Sequence, residues 1–343
     1  MKISENILES CRAVIECVGN ESNAEIREIK LKDLINRYDL LQTELLGNEK
    51  QIMEKSNNTK KSFDIGIFTI VSVEFEQLKN ILSFDKHESS KLLDINGLEY
   101  FVAKINRDND FPPLSVLVTL IGLAGNITTA IACMRTFRKY DIELSIICGI
   151  GAGVKGEIEK YSVVVSNGVV DYEAQRLEED KSTYRADPID IDDYHKRRFA
   201  HLSSIQENWK KDYLRYAEDK LIDPSDFDIS IMNNLVIKDG LIASGGKLLA
   251  DGTTLKTLRN NLQIKKGVLV AEMEGSGFAS VCRELKKDWL IFRGISDLGG
   301  GEGDKDDPIN KKYQKIAAAG AVKAAIYYLT YLYNKPSERD MEF

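Results

Sequence analysis

Two regimes of hydrophobic patterning divide the chain. Over residues 1–60, apolar positions recur at helical spacing. Ile7, Cys11, Val14 and Val18 form one run, and Leu31, Leu34, Tyr38, Leu41 and Leu45 a second, with Gly19-Asn20-Glu21-Ser22-Asn23 between them. Each run is a single apolar stripe, so the pattern predicts a helical hairpin. Its leucine stripe reads either as a docking face for a regulatory partner or second copy, or as an ordinary hairpin packed on its own domain. Ser56-Asn57-Asn58-Thr59-Lys60-Lys61-Ser62 is polar and unpatterned, and reads as a linker.

From Phe63 to about residue 334, β-rich apolar runs alternate with helical patterns. Strands are expected over Asp64–Val71, Leu98–Ile105, Leu114–Ile121, Leu144–Cys148, Ser162–Ser166, Val268–Ala271 and Trp289–Ile295. Helices are expected over Val73–Leu82, Thr128–Tyr140, Met273–Leu285 and Tyr313–Tyr333. Such alternation predicts an α/β layer sandwich around a mixed or mostly parallel sheet, with ligands at the carboxyl ends of strands.

Residues 171–228 interrupt this pattern with a charged insertion. Tyr194, Leu202, Ile205 and Trp209 recur near helical spacing, and Lys196, Arg197, Arg198, His201, Lys210, Lys211 and Arg215 supply a basic face. That face is either solvated or the wall of a pocket for phosphate or another anion.

Composition narrows the function. The 343 residues carry 43% hydrophobic and 29% charged side chains, ordinary globular usage for about two domains. A net charge of −7 argues against a surface built to grip nucleic acid. No apolar run approaches the ~20 residues of a membrane span, and the acidic start does not open a signal peptide. Five scattered cysteines with no C-x-x-C pair fit a reducing cytoplasm. The three histidines, His87, His195 and His201, sit in no recognisable motif, so acid–base chemistry is expected from carboxylates.

Gly151-Ala152-Gly153-Val154-Lys155-Gly156 fits G-x-G-x-x-G literally, but the chain continues into the strand-like Tyr161-Ser162-Val163-Val164-Val165. No helix follows to hold a pyrophosphate, which argues against a dinucleotide fold. The unit Cys148–Gly153 reads as a glycine-rich loop after a buried strand, open to close approach by a ligand. Gly299–Asp307 combines glycines with acidic residues. It reads as a mobile loop able to close over a ligand, and it lacks the glutamate of an EF-hand.

Taken in order, Ile65-Gly66-Ile67 … Glu74, Gly149–Gly153, Gly240–Gly245, Ala271-Glu272-Met273-Glu274-Gly275 and Arg293-Gly294-Ile295-Ser296-Asp297 resemble the nucleoside phosphorylase superfamily. Within it they resemble the methylthioadenosine/S-adenosylhomocysteine nucleosidase branch, and are similar to related domains of bacterial antiviral defence proteins. The resemblance runs from about Phe63 to Leu332, outside most of the insertion. It implies a three-layer α/β sandwich and hydrolysis of an N-glycosidic bond, with no cofactor and no metal.

It also implies roles. Asp297 resembles the acid that serves N7 of the leaving purine, oriented by Ser296. Glu74 matches the residue that activates water. Glu274 looks like the acceptor of the ribose hydroxyls, with Met273 packed on the sugar, Arg293 near the carboxylates, and Gly151 in the glycine stretch. Leu248 and Leu249 fall where the base is lined. The chemistry is consistent with these roles, because the breaking bond puts positive charge on the ribose and negative charge on the base. The first loop, Thr69–Glu74, has no arginine to hold phosphate, which favours water as nucleophile. Ile150 stands where many members have a small polar residue.

On this reading the substrate is an adenine nucleotide, with ATP leading and Arg197 and Arg198 holding its phosphates. Methylthioadenosine or S-adenosylhomocysteine is the alternative, and a non-catalytic nucleoside sensor a further one. The resemblance also implies a homo-oligomer.

Overall fold

The computed structural model describes residues 60–84, 91–93, 97–108, 111–178, 181–185, 187–221, 234–249, 253–261, 267–300 and 308–337. The expected helical hairpin of residues 1–60 and most of the acidic glycine loop lie outside them. Contacts divide the chain after Lys60, and the fold below is that of the unit beginning at Lys61.

In chain order the strands and helices are β1 (Lys61–Thr69), α1 (Ser72–Leu82), β2 (Lys91–Leu93), β3 (Glu99–Ile105), β4 (Leu114–Leu120), α2 (Asn126–Lys139), β5 (Tyr140–Gly153) and β6 (Val163–Asp171). There follow β7 (Gln175–Glu178), β8 (Lys181–Tyr184), β9 (Ile189–Asp190), α3 (Asp193–Phe199), α4 (Leu202–Lys220), β10 (Ile237–Ser244) and α5 (Thr254–Asn261). The last are β11 (Val268–Glu272), α6 (Gly275–Glu284), β12 (Asp288–Asp297) and α7 (Pro308–Tyr331).

Among the described residues one mixed sheet runs β11-β10-β6-β12-β5-β1-β4-β3-β2, with β9 added to β6. The long β5 pairs in parallel with β1 and β12 along its length, and its end turns to pair antiparallel with β11 through Ala152 and Gly153. That pairing closes β11, β10, β6, β12 and β5 into a ring. The carboxyl ends of β5, β11 and β12 therefore converge at one rim.

Side-chain alternation along β12 sets the layers. Trp289 meets Phe278 of α6 on one face, and Phe292 meets Tyr328 of α7 on the other. Helices α2 and α6 pack together on the first face, while α7 packs with α1 and α4 on the second. The result is a three-layer sandwich, the layered α/β form expected from the alternation of elements with the layer number that the resemblance implies. Its core is the buried aliphatic run of the central strands, such as Ile142, Leu144, Ile146 and Ile147 on β5.

Two local features differ from the sequence expectation, and a third shows what the helical stripe of the insertion packs against. The glycine stretch Gly149–Gly153 is strand rather than loop, as the last segment of β5. A Cβ on Gly149 would collide with the Arg293 guanidinium and the Glu74 carboxylate, so the glycine there makes room for buried charge. Helix α6 begins at Gly275, two residues later than its apolar pattern, which leaves Met273 and Glu274 on the rim.

The third concerns the insertion. The apolar stripe of α4 (Leu202, Ile205, Trp209, Tyr213, Ala217) is buried against α7, with Trp209 Nε1 donating to the Gly320 carbonyl at 3.2 Å and Tyr213 hydroxyl to that of Ile316 at 3.0 Å. Lys323 of α7 pairs with Asp212 at 2.7 Å. This helix is a structural brace. Among the described residues no helix is long and apolar enough to cross a membrane.

Candidate active site

The rim where β5, β11 and β12 converge holds a cavity of about 200 Å³. Its lining brings together Glu74, Gly151, Leu248, Leu249, Met273, Glu274, Arg293, Ser296 and Asp297, residues drawn from five separate stretches of sequence.

At its floor lies Arg293, carried by β12 and 1% exposed. Its Nη2 donates to Glu272 and, at 2.9 Å, to Glu274. Its Nη1 donates to the Ile150 carbonyl at 3.2 Å and lies 3.7 Å from Glu74. Burial works against the guanidinium charge, but the carboxylates of Glu272, Glu274 and Glu74 outweigh it and push the group above its ordinary value.

Each carboxylate is held differently. Glu74 sits in the first turn of α1. Its Oε2 accepts from the amides of Ile70 and Val71 at 2.8 and 3.1 Å, and its Oε1 from that of Ile150 at 2.9 Å. Desolvation raises its pKa, against the opposing pull of Arg293 and the three amides. Glu272, at the end of β11, accepts from the amides of Glu274 (3.1 Å) and Gly275 (2.9 Å) at the head of α6. A carboxylate there also meets the positive end of the helix dipole.

Glu274 stands immediately before α6, and its Oε1 accepts from the Gly125 amide at 3.1 Å. Burial pushes its pKa up to about 7, aided by Glu272 and Glu74 and opposed by Arg293 and that amide. Three carboxylates thus face one guanidinium, and the surplus negative charge helps burial to keep a proton near neutrality on Glu274.

Asp297 ends β12. Its Oδ1 accepts from the Gly299 amide and its Oδ2 meets Ser296 Oγ, both at 2.9 Å. Ser296 Oγ also lies 3.4 Å from the Gly151 carbonyl. One hydroxyl proton therefore has two acceptors. Pointed at Gly151, it leaves the serine oxygen free to accept a hydrogen bond in turn.

Arg197 and Arg198 are not among the lining residues. Both are on α3 in the insertion. Arg197 is exposed, and Arg198 lies over the Tyr194 ring, 5.3 Å from its centre, with Nε donating to the Tyr194 hydroxyl at 3.3 Å. Neighbouring Lys196 pairs with Asp190 at 2.8 Å. The structure does not bring this basic run to the cavity.

Sequence reasoning missed Glu272, Lys247 and Gln314 in the lining. Glu272 lay in the motif beside Glu274 and carried its own signal, an acid two residues before another at a strand end. It also missed Asn126 and Ser244, whose side chains meet at 3.1 Å behind Glu274.

A ring-closed mixed sheet between two helical layers, with a carboxylate-rich cavity at the strand ends, defines a nucleoside-phosphorylase-like α/β domain. The profile of the Phosphorylase superfamily matches residues 64–332, and the chain belongs to that superfamily. It is 24% identical over 267 residues to ATP nucleosidase Cap17 of Escherichia coli strain KTE188, covering 77% of this chain and 50% of that protein. The chain thus spans about half the length of that relative. It is 23% identical over 199 residues to 5′-methylthioadenosine/S-adenosylhomocysteine nucleosidase of Thermotoga maritima, covering 58% of this chain and 73% of that protein. Among solved structures, a nucleosidase of the latter kind from Borrelia burgdorferi B31, bound to adenine, superposes with a TM-score of 0.54 at 20% identity, covering 77% of this chain and 98% of that chain. The likeness is one of fold.

Proposed function

We propose that the chain is a purine nucleosidase that hydrolyses the N-glycosidic bond of an adenine nucleoside or nucleotide, with ATP as the leading substrate. The observation that carries this reading is the convergence of Glu74, Glu274 and Asp297 on one cavity, with Arg293 balancing only part of their charge. A cavity with surplus negative charge stabilises the positive ribose ring that forms as the bond to the base breaks.

In this mechanism Asp297 gives a proton to N7 of the purine, and Ser296 steadies the carboxyl. Glu274 accepts the ribose hydroxyls, and Met273 packs on the sugar. Glu74 takes a proton from the water that adds to C1′. Gly151 lets the sugar approach β5 closely, and Leu248 and Leu249 line the base. With ATP the products are adenine and ribose 5′-triphosphate.

Water is favoured over phosphate as nucleophile. Among the described lining residues the cations are Arg293 and Lys247, and Arg293 is committed to three carboxylates. The amides at the head of α6 are also taken, by Glu272, Ser244 and Asn126.

Support for ATP is the similarity to Cap17, together with Lys247 on the cavity wall. Its ammonium lies 3.5 Å from Glu173 in a largely exposed position, within the lining that a phosphate chain would pass. An effector role in antiviral defence is the reading we carry for the whole protein, on the resemblance to defence-associated nucleosidases. Self-association is supported by the apolar side chains of Leu123, just before α2 (67% exposed), and Ile127, in its first turn (78% exposed), next to the cavity residue Ala124. A regulatory partner for residues 1–60 is a further part of this reading.

The test is incubation with ATP, AMP, adenosine and methylthioadenosine, with and without phosphate, and chromatography for free adenine. Adenine released from ATP without added phosphate is the expected result. Adenine from methylthioadenosine alone would move the assignment to the alternative branch, and ligand binding without adenine release would favour the sensor.

A further inference from the structure

Helices α2 and α6 meet backbone to backbone at their starts. A Cβ on Gly277 would collide with the Asn126 carbonyl, so this approach needs a glycine. The first amides of a helix have no partner within it, and at the head of α6 side chains from three elements supply them. Glu272 of β11 takes those of Glu274 and Gly275. Ser244 Oγ of β10 takes that of Ser276 at 3.0 Å, and Asn126 Oδ1 of α2 takes that of Gly277 at 2.8 Å. Ser244 Oγ in turn donates to Asn126 Oδ1 at 3.1 Å, so the two side chains form one clamp. One residue before Asn126, Gly125 adopts φ +117°, a conformation that favours glycine, and its amide donates to Glu274 Oε1.

We propose that Asn126 and Ser244 are positioning residues: their shared hydrogen bonds fix the head of α6 against the head of α2 and so hold the Gly125 amide on the Glu274 carboxylate. The inference rests on the reading of Glu274 as the group that receives the ribose hydroxyls. The groups that face Glu274 are Arg293 from β12, Glu272 from β11, Glu74 from α1 and the Gly125 amide ahead of α2. Of these, the amide is the one whose placement depends on the clamp. An amide that donates to a carboxylate favours its ionised form, so losing it moves the titration upward.

The experiment uses the full chain labelled with ¹³C at glutamate carboxyls and titrated by NMR, with Glu274→Gln identifying the signal. The wild-type midpoint is expected at about 7. Asn126→Ala and Ser244→Ala are each expected to raise it by about one pH unit. The double variant moves it little beyond the larger single change, because both act through one hydrogen-bonded unit. The pH at half-maximal kcat/KM for adenine release moves with it. An unchanged midpoint in variants that still melt cooperatively overturns the proposal. Ser244→Ala removes one hydroxyl only and keeps the test decisive if Asn126→Ala does not fold. A raised midpoint in a chain that releases no adenine from any substrate upholds the clamp and rejects the nucleosidase reading.

Discussion

Glu272 and Glu274 converge on a single nitrogen, Nη2 of Arg293, from the two sides of a strand-to-helix junction. The first is tied to the backbone, with both oxygens accepting from amides at the head of α6. The second accepts from one amide, that of Gly125, at 3.1 Å. Both line the cavity, but Glu272 is held by the amides of Glu274 and Gly275 at the head of α6, and Glu274 by the Gly125 amide ahead of α2.

Arg293 is the counterion that makes this burial tolerable. Replacing it in Arg293→Met leaves Glu74, Glu272 and Glu274 without compensation, and removing one partner of a buried pair costs about 3–5 kcal/mol. Urea unfolding at pH 8 is expected to show that loss. The deficit shrinks toward pH 5, where the carboxylates of the variant take up protons.

Glu274 gives the pH dependence its sign. Its folded pKa is raised to about 7 from an ordinary 4.5, so the native state holds a proton that the unfolded chain has released. Its contribution to stability is therefore fully present below about 4.5, falls as pH rises from there through 7, and is level above. The fall amounts to about 3 kcal/mol, since each pH unit separating the folded and unfolded values is worth about 1.36 kcal/mol. Glu274→Gln removes it, so the variant loses less stability than the wild type between pH 5 and pH 8 in paired urea titrations. On the proposed role of Glu274 in receiving the ribose hydroxyls, adenine release is expected to rise through the same range.

The proposed contact with a substrate phosphate chain is tested by two charge deletions. Lys247→Ala is expected to raise KM for ATP several-fold and leave KM for adenosine within about twofold, since one charge-assisted hydrogen bond is lost. Arg197→Ala with Arg198→Ala is expected to leave both constants within about twofold, because α3 does not reach the cavity lining. Steady-state kinetics with both substrates decides between the two cationic groups.

Much of the fold was legible in the order of apolar runs. The buried strands β1, β4, β5 and β12 carry short runs rich in Ile, Leu, Val and aromatic residues, and that pattern needs no knowledge of their partners. The acids Glu74, Glu274 and Asp297 were legible through an ordered set of motifs. Gly149 was misread, because a run of glycines resembles a loop until Arg293 and Glu74 are seen to fill the space of its missing Cβ. Asn126 was invisible, since its partners Ser244 and Gly277 lie 118 and 151 residues away and no local pattern links them. Arg197 and Arg198 misled for the opposite reason. A basic run marks a helix face, but only tertiary packing says which way that face looks.

The measurement that bears most directly on the carboxylate triad is the rate of adenine release from ATP in phosphate-free buffer. It would compare the full chain with Glu74→Gln, Glu274→Gln and Asp297→Asn, each checked for cooperative melting. Stoichiometric adenine from the wild type and a loss of about 100-fold or more in Asp297→Asn and Glu74→Gln is the predicted outcome. Wild-type turnover preserved in Asp297→Asn, or no adenine from the wild type on any adenine nucleoside or nucleotide, would contradict it.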